Sequence, residues 1–361
     1  MMIIKKYQKY IIKTYFYNFL IISLIFLSIG FILNFFEELK FFDDKNVSVY
    51  YPILLTLLNT PSILFELFPF IFLITTKFFY IYLNDRNEIE ILKNNGINYF
   101  KILSILSFLS LVLGVAILII YYTFSSNLKS HYYNFKNNFS DKNEYLAVVN
   151  ESGLWIKEEI SETINIIHAK RFKENFIEDI TITQTNSKFK IPNTIIADKA
   201  DISKKIWVLN NVQLINSKAQ NKELDKYSYE SSFTGEIIAK LFSNLNSLNL
   251  YQLYELSKNY SKIGYSTTEV MVHLNKLYSM PIFFLLMTVL GFLIMIKFKF
   301  IKTKFFTVVI GVFVSVIVYY LNYFSSLFGS NETLPIGLSI WLPHLILLLI
   351  CSLGIVKINE I

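Results

Sequence analysis

The chain has 361 residues, 53% of them apolar and only 17% charged, with Phe at 34 positions and Tyr at 24. Mean hydropathy is +0.44, and apolar runs of about 20 residues recur, so lipid is the solvent for most of the chain and disordered, collagen-like and disulfide-scaffold classes are excluded. The net charge of +7 comes from lysines clustered beside those runs, a pattern of membrane topology and not of a nucleic-acid-binding face.

Six segments are long enough to cross about 30 Å of hydrocarbon. They run roughly from Thr14 to Phe36, Pro61 to Leu83, Phe100 to Tyr122, Met271 to Ile296, Phe305 to Phe328 and Ile336 to Ile355. Lys5, Lys6, Lys9 and Lys13 precede the first. Its apolar run is too long for a signal peptide and no small-residue cleavage site follows, so it reads as a retained helix. The N-terminal lysines, Arg86 and Lys93 after the second span, and Lys297, Lys299, Lys302 and Lys304 after the fourth mark the cytoplasmic side. Both termini fall there. The loops holding Glu37, Glu38, Asp43 and Asp44, and Glu332, lie across the membrane.

Two charges sit inside the second span, Glu66 and Lys77. Eleven residues apart, they lie near one face but about 16 Å from each other along the axis, so they do not pair. A charge facing lipid costs at least about 2.5 kcal/mol, and each is expected to face a neighbouring helix or a polar cavity, unless it snorkels to an interface. The turn that follows, residues 84–98, carries a short amphipathic helix around Glu88, Ile89, Ile91 and Leu92, ended by Asn94, Asn95 and Gly96. Too short to be stable alone, it is either a docking lever or a solvated hairpin turn.

Residues 125–267 form the one long polar stretch. Short alternating strands at 153–157, 179–185, 194–202 and 207–216, separated by turn residues, predict a sandwich or half-open roll. A helix with Leu250, Leu253 and Leu256 near helical spacing leads back to the membrane. The fold class is an α-helical polytopic membrane protein. Residues 1–124 carry three transmembrane helices, 125–267 the extracytoplasmic β domain and 268–361 three more helices.

Catalytic signatures are missing. There is no GxxxxGK[ST] phosphate loop, no HExxH and no GxSxG, so no catalytic residue, metal or cofactor is expected in the chain. His131, His168, His273 and His344 are scattered, and His344 beside Pro343 is expected to be a packed, hydrogen-bonded residue. The lone Cys351 reads as a small core hydrophobe, and Trp155 and Trp207 as core anchors of the β domain. A lipid-modifying enzyme would draw its acids from Glu37, Glu38, Asp43 and Asp44. A run of like charge at a helix end is more simply a solvated face.

Several stretches resemble one family. RNEIEILKNNGI in the 84–98 turn, ESGLWIK at 151–157, ADKADISKKIWVLNNV, LNKLYSMPIFFLLM in the fourth span and the closing LPIGLSIWLP are similar, in order and spacing, to the LptF/LptG permeases of lipopolysaccharide export, LptG more than LptF. The resemblance implies an ABC transporter subunit with β-jellyroll external domains. An LptF-like permease would complete a heterodimer, an LptB-like ATPase dimer would carry ATP and Mg, and LptC-like and LptA-like proteins would receive the lipopolysaccharide. It implies that Glu88, Ile89, Leu92 and Gly96 couple to the ATPase. Lipid phosphates need cations at the outer rim: Lys129 and Lys136 are the candidates, with Lys136 near a basic family position. At two other basic family positions this chain has Asn34 and Ser62, and Glu66 is a candidate for lining the lipid cavity.

Overall fold

The structure, a computed structural model, describes residues 5–43, 47–139, 154–160, 163–173, 175–186, 193–215, 221–231, 233–235, 238, 244–262, 266–297 and 304–359. Asp44, Gly153, Lys299 and Lys302 lie outside the described residues. In chain order come α1 (Lys6–Phe41), α2 (Tyr50–Asp85), α3 (Glu88–Asn94) and α4 (Tyr99–Ala116), which runs through a π-helical turn (Ile117–Tyr121) into α5 (Tyr122–Asn137). Six strands follow: β1 (Leu154–Ile160), β2 (Thr163–Lys173), β3 (Phe176–Asn186), β4 (Asn193–Asp201), β5 (Ile206–Ile215) and β6 (Asn221–Glu230). Then come α6 (Leu250–Lys262), α7 (Thr268–Lys297), α8 (Lys304–Ser330) and α9 (Ile336–Asn359). Two compact units result, Met1–Lys129 with Met271–Ile361, and Ser130–Val270.

In the helical unit six helices are long and apolar enough to cross a membrane: α1, α2, α4 continued through α5, α7, α8 and α9. They contain the six spans read from the sequence. The most apolar window of α7 is 83% buried, against 22% for α1, 17% for α8 and 28% for α9, so α7 is the inner helix. Lipid tails are as apolar as leucine, so close packing and hydroxyl bonds hold such helices together, not the hydrophobic effect. Phe284 of α7 stacks on Phe72 of α2 at 4.9 Å between ring centroids. Gly291 lets the α2 backbone approach so closely that a Cβ there would lie 2.7 Å from the Leu73 carbonyl oxygen. The Tyr15 hydroxyl of α1 sits 3.2 Å from Thr76 Oγ1 and 3.3 Å from Thr288 Oγ1, linking α1, α2 and α7.

The second unit holds one antiparallel sheet whose strands neighbour each other in chain order, β1 to β6. Its inner rows are apolar: Leu154 and Ile156, Ile167 and Ala169, Ile180 and Ile182, and Ile195 and Ala197 are all buried. Register is kept along every strand pair, yet one row is unpaired among the described residues: Lys170, Asp179, Asp198, Asn211 and Asp225. Within it Asp179 (φ 54°) and Asn211 (φ 53°) are left-handed. This crease explains a spacing that a flat strand forbids. Side chains on a strand alternate with period two, which would send Ile177 and Ile180, Ala197 and Ala200, or Leu209 and Val212 to opposite faces. All six are buried, because the crease inverts the alternation between the members of each pair.

Trp207 meets its expectation: it is fully buried and its Nε1 donates to the Phe233 carbonyl at 2.7 Å. Trp155 corrects one. It is 49% exposed and lies on His168, with ring centroids 4.2 Å apart, because Leu154 and Ile156 on either side take the inward positions of β1. β2 and β6 escaped the sequence reading, and in β6 only Tyr229 is buried. In α6 Leu253 and Leu256 are buried while Tyr251 and Tyr254 are exposed.

Candidate functional site

The turn between α2 and α4 is built by two left-handed residues. Asn87 (φ 57°) reverses the chain after α2, and Gly96 (φ 76°) ends α3. At that end the Ile97 N–H donates to the Leu92 carbonyl at 3.0 Å and the Gly96 N–H to the Lys93 carbonyl at 2.9 Å, the bonds of a Schellman cap. The Asn98 side chain then accepts from the Lys101 N–H at 3.0 Å and opens α4. Seven residues make an unstable helix in isolation, so α3 stands on its contacts. Ile89 is buried, Leu92 and Glu88 are half-buried, and Glu90 and Ile91 are exposed. The Tyr10 hydroxyl of α1 donates to Glu88 Oε2 at 2.6 Å.

Three of the four residues expected to couple therefore serve the protein's own packing or capping. Ile89 seats α3 on the bundle, Gly96 caps it, and Glu88 is tied to α1. The open face belongs to Glu90 and Ile91, and Ile91 is an apolar side chain left 56% exposed. The sequence offered no sign of Tyr10, which is 78 positions from Glu88.

At the other end of the helical unit the structure joins two predicted residues through a third. Lys129 Nζ donates to Asn59 Oδ1, and Asn59 Nδ2 donates to Asn34 Oδ1 at 2.8 Å. Asn34 and Asn59 are 2% and 6% exposed. The row of donors ends on Asn34 Nδ2, which is buried with no hydrogen-bond partner. An unmet buried donor costs about 1–3 kcal/mol, and an acceptor oxygen placed there would remove that cost. Asn59 is legible as a polar residue inside an apolar run. Lys136 departs from its expectation: it is buried and donates to the Tyr132 hydroxyl at 2.7 Å, with that ring beneath it. It lies on α5 one turn after Tyr132, within the second unit. Ser62 is buried in α2.

The two charges of α2 part company. Lys77 is fully buried and donates to the Thr307 carbonyl near the start of α8. Gly311 makes room for it, since a Cβ there would overlap the end of the lysine. Glu66 is exposed on α2, one turn from Phe70, whose ring lies 5.5 Å from that of Tyr319 on α8. Glu38, expected on a solvated acidic face, is instead fully buried, being one turn beyond Asn34 on the packed face of α1. His344 is buried and its Nδ1 donates to the Ile340 carbonyl at 2.7 Å. No group of His, Cys, Asp and Glu suited to a metal occurs among the described residues.

A family model described as lipopolysaccharide export system permease LptF/LptG matches residues 9–357. No curated protein matches the chain.

Proposed function

We infer the function of this chain from its family, for it belongs to the lipopolysaccharide export permeases LptF/LptG. It is a membrane-embedded transport subunit. Within that frame we place it in the LptG position of an ABC transporter, paired with an LptF-like permease. An LptB-like ATPase dimer, which would bind the ATP and Mg, drives it from the cytoplasm. Both termini and α3 lie on the cytoplasmic side, and the sheet unit is periplasmic, where LptC-like and LptA-like proteins take the lipid onward.

The supporting observation is the build of α3, a one-turn-and-more helix with a buried face on its own bundle and an open face of Glu90 and Ile91. A docked ATPase moving this helix would pull α2 directly, through the short Arg86–Asn87 link, and α1 through Tyr10 and Glu88. Motion of these two helices alters the apolar space beside α1, whose window is mostly unburied. Lipid acyl chains fill such a space, and a phosphate oxygen accepts from Asn34 Nδ2 beside the Lys129 charge.

The test is affinity purification of the tagged chain in mild detergent, with mass spectrometry of copurifying proteins and lipids. The reading expects an ATPase, a second six-helix permease and lipopolysaccharide. Recovery of the chain with bulk phospholipid alone would reject it. Glu88→Arg in the same preparation is expected to lower ATPase recovery or lipid export while leaving insertion intact.

A further inference from the structure

Beside α3 the N-terminus of α1 and the turn into α4 border an open surface cleft of about 450 Å³. That is within the size of small-molecule sites, about 300–1,000 Å³. Lys5, Lys6 and Lys101 line it, with Leu92 and Ile97 as apolar wall, and no carboxylate is among its lining residues. Lys101 is held in place, its Nζ donating to the Gly96 carbonyl at 2.8 Å. Gly96 opens onto unfilled space, with no atom within 4 Å of where a Cβ would stand. Among the described residues no carboxylate forms an ion pair with Lys5, Lys6 or Lys101: Glu88 accepts from Tyr10 and Glu90 is exposed on α3. Lys93 is drawn away over the Tyr99 ring, 4.4 Å from its centroid.

Three lysines bordering one cleft offer an anion several charge-assisted donors at once. The position of the cleft selects the anion. Lys101 directly precedes the apolar run of α4 that starts at Ile102, and Phe100 beside it is 48% exposed, so the site is at the boundary of hydrocarbon and headgroups.

We propose that this cleft binds the phosphate of an anionic phospholipid from the adjoining leaflet, next to the helix that receives the ATPase. The glycerol end lies against Leu92 and Ile97, and the phosphate oxygens accept from Lys5, Lys6 and Lys101. Bound there, the lipid ties the start of α1 to the Gly96 cap of α3, so leaflet composition reaches the coupling turn. The binding itself does not depend on the ATPase contact.

Native mass spectrometry of the purified full chain, with whatever subunits copurify, tests this. The probes are short-chain phosphatidylglycerol, phosphatidylcholine of the same chain length and inorganic phosphate. Wild type is expected to retain phosphatidylglycerol in preference to phosphatidylcholine. Each membrane-surface lysine contributes about a fivefold factor, so Lys101→Gln weakens retention about fivefold and K5Q/K6Q/K101Q about a hundredfold. K222Q/K226Q/K258Q, which removes three exposed lysines of the sheet unit, leaves retention unchanged. Lys101→Gln spares the N-terminal lysines that direct insertion, so it remains informative if the triple variant misfolds. Equal retention of the two lipids, or an equal loss in the control, overturns the proposal. So does displacement of phosphatidylglycerol by inorganic phosphate at matched concentration, which would make the ligand a free anion. Loss of the ATPase from Lys101→Gln with lipid retained would assign the lysines to a protein partner and also overturn it.

Discussion

Tyr10 and Glu88 meet across 2.6 Å, the phenol of α1 donating to the carboxylate that opens α3. The bond makes α3 a joint between two transmembrane helices and not merely the end of one. A hydrogen bond to a charged acceptor contributes about 1.5–3 kcal/mol. Tyr10→Phe is therefore expected to leave the chain inserted and the ATPase bound while raising ATP hydrolysed per lipid released. Unchanged stoichiometry in reconstituted vesicles would mean that α1 takes no part in coupling.

Lys129 is bonded to Asn59, whereas Lys136 is buried against Tyr132. Lys129→Glu is expected to abolish most lipid crosslinking with ATP hydrolysis retained, and Lys129→Glu/Lys136→Glu to add little in lipid capture. Asn59→Leu, which cuts the link between Lys129 and Asn34, should reproduce the loss in part. Photocrosslinking from position 33, whose Leu33 is 66% exposed beside Asn34, measures all three, and full labelling in Lys129→Glu would remove the site.

Lys77 and Gly311 fit as a pair, and their coupling can be measured. Gly311→Ala forces a methyl into the lysine and is expected to destabilise by about 1–3 kcal/mol, as overpacking does. Lys77→Met shortens and softens the obstacle, so the double variant should recover a good part of that loss. Thermal unfolding in detergent of the four forms of the cycle decides it. Strict additivity would show that the two do not touch.

The crease makes a different demand at Asn211. A β-branched residue in the left-handed region is strained by about 1–3 kcal/mol, and glycine is not. Asn211→Val should loosen β4 and β5, seen as faster amide exchange at residues 206–215, while Asn211→Gly leaves exchange close to wild type. The reverse order would exclude the left-handed turn.

In the sheet unit the Tyr229 phenol is pushed well above its ordinary value of 10.0, chiefly by burial and then by the charge and hydrogen bond of Glu158. A raised folded value gives stability that is complete below the unfolded pKa and is lost as pH rises through the folded one. The sheet is thus expected to weaken above about pH 10, and Tyr229→Phe to weaken less over the same range. Protease resistance of residues 206–230 between pH 8 and 11, compared between the two proteins, reads this out. Parallel decline would assign the alkaline loss to other groups.

How far residues alone led is clearest by example. The six spans were legible because length and hydropathy are properties of contiguous sequence, and α3 because Asn94, Asn95 and Gly96 stop a helix locally. The pair Ala197 and Ala200, like Leu209 and Val212, was visible as a motif but not as a reason, since a three-residue interval contradicts strand periodicity until Asp179 and Asn211 turn left-handed. β6 was hidden because an exposed edge strand needs no apolar alternation.

What the sequence by itself determined about this protein is its solvent, its spans, its family and its lack of a nucleotide loop, all carried by composition and by order along the chain. Only the tertiary structure decided that Glu88 belongs to Tyr10, that Lys129 reaches Asn34 through Asn59, that Lys136 turns inward, and that Lys5, Lys6 and Lys101 share one cleft. All but the Lys136 contact join residues tens of positions apart, and helices packed through small residues and hydroxyls leave no periodic mark by which such meetings can be foreseen.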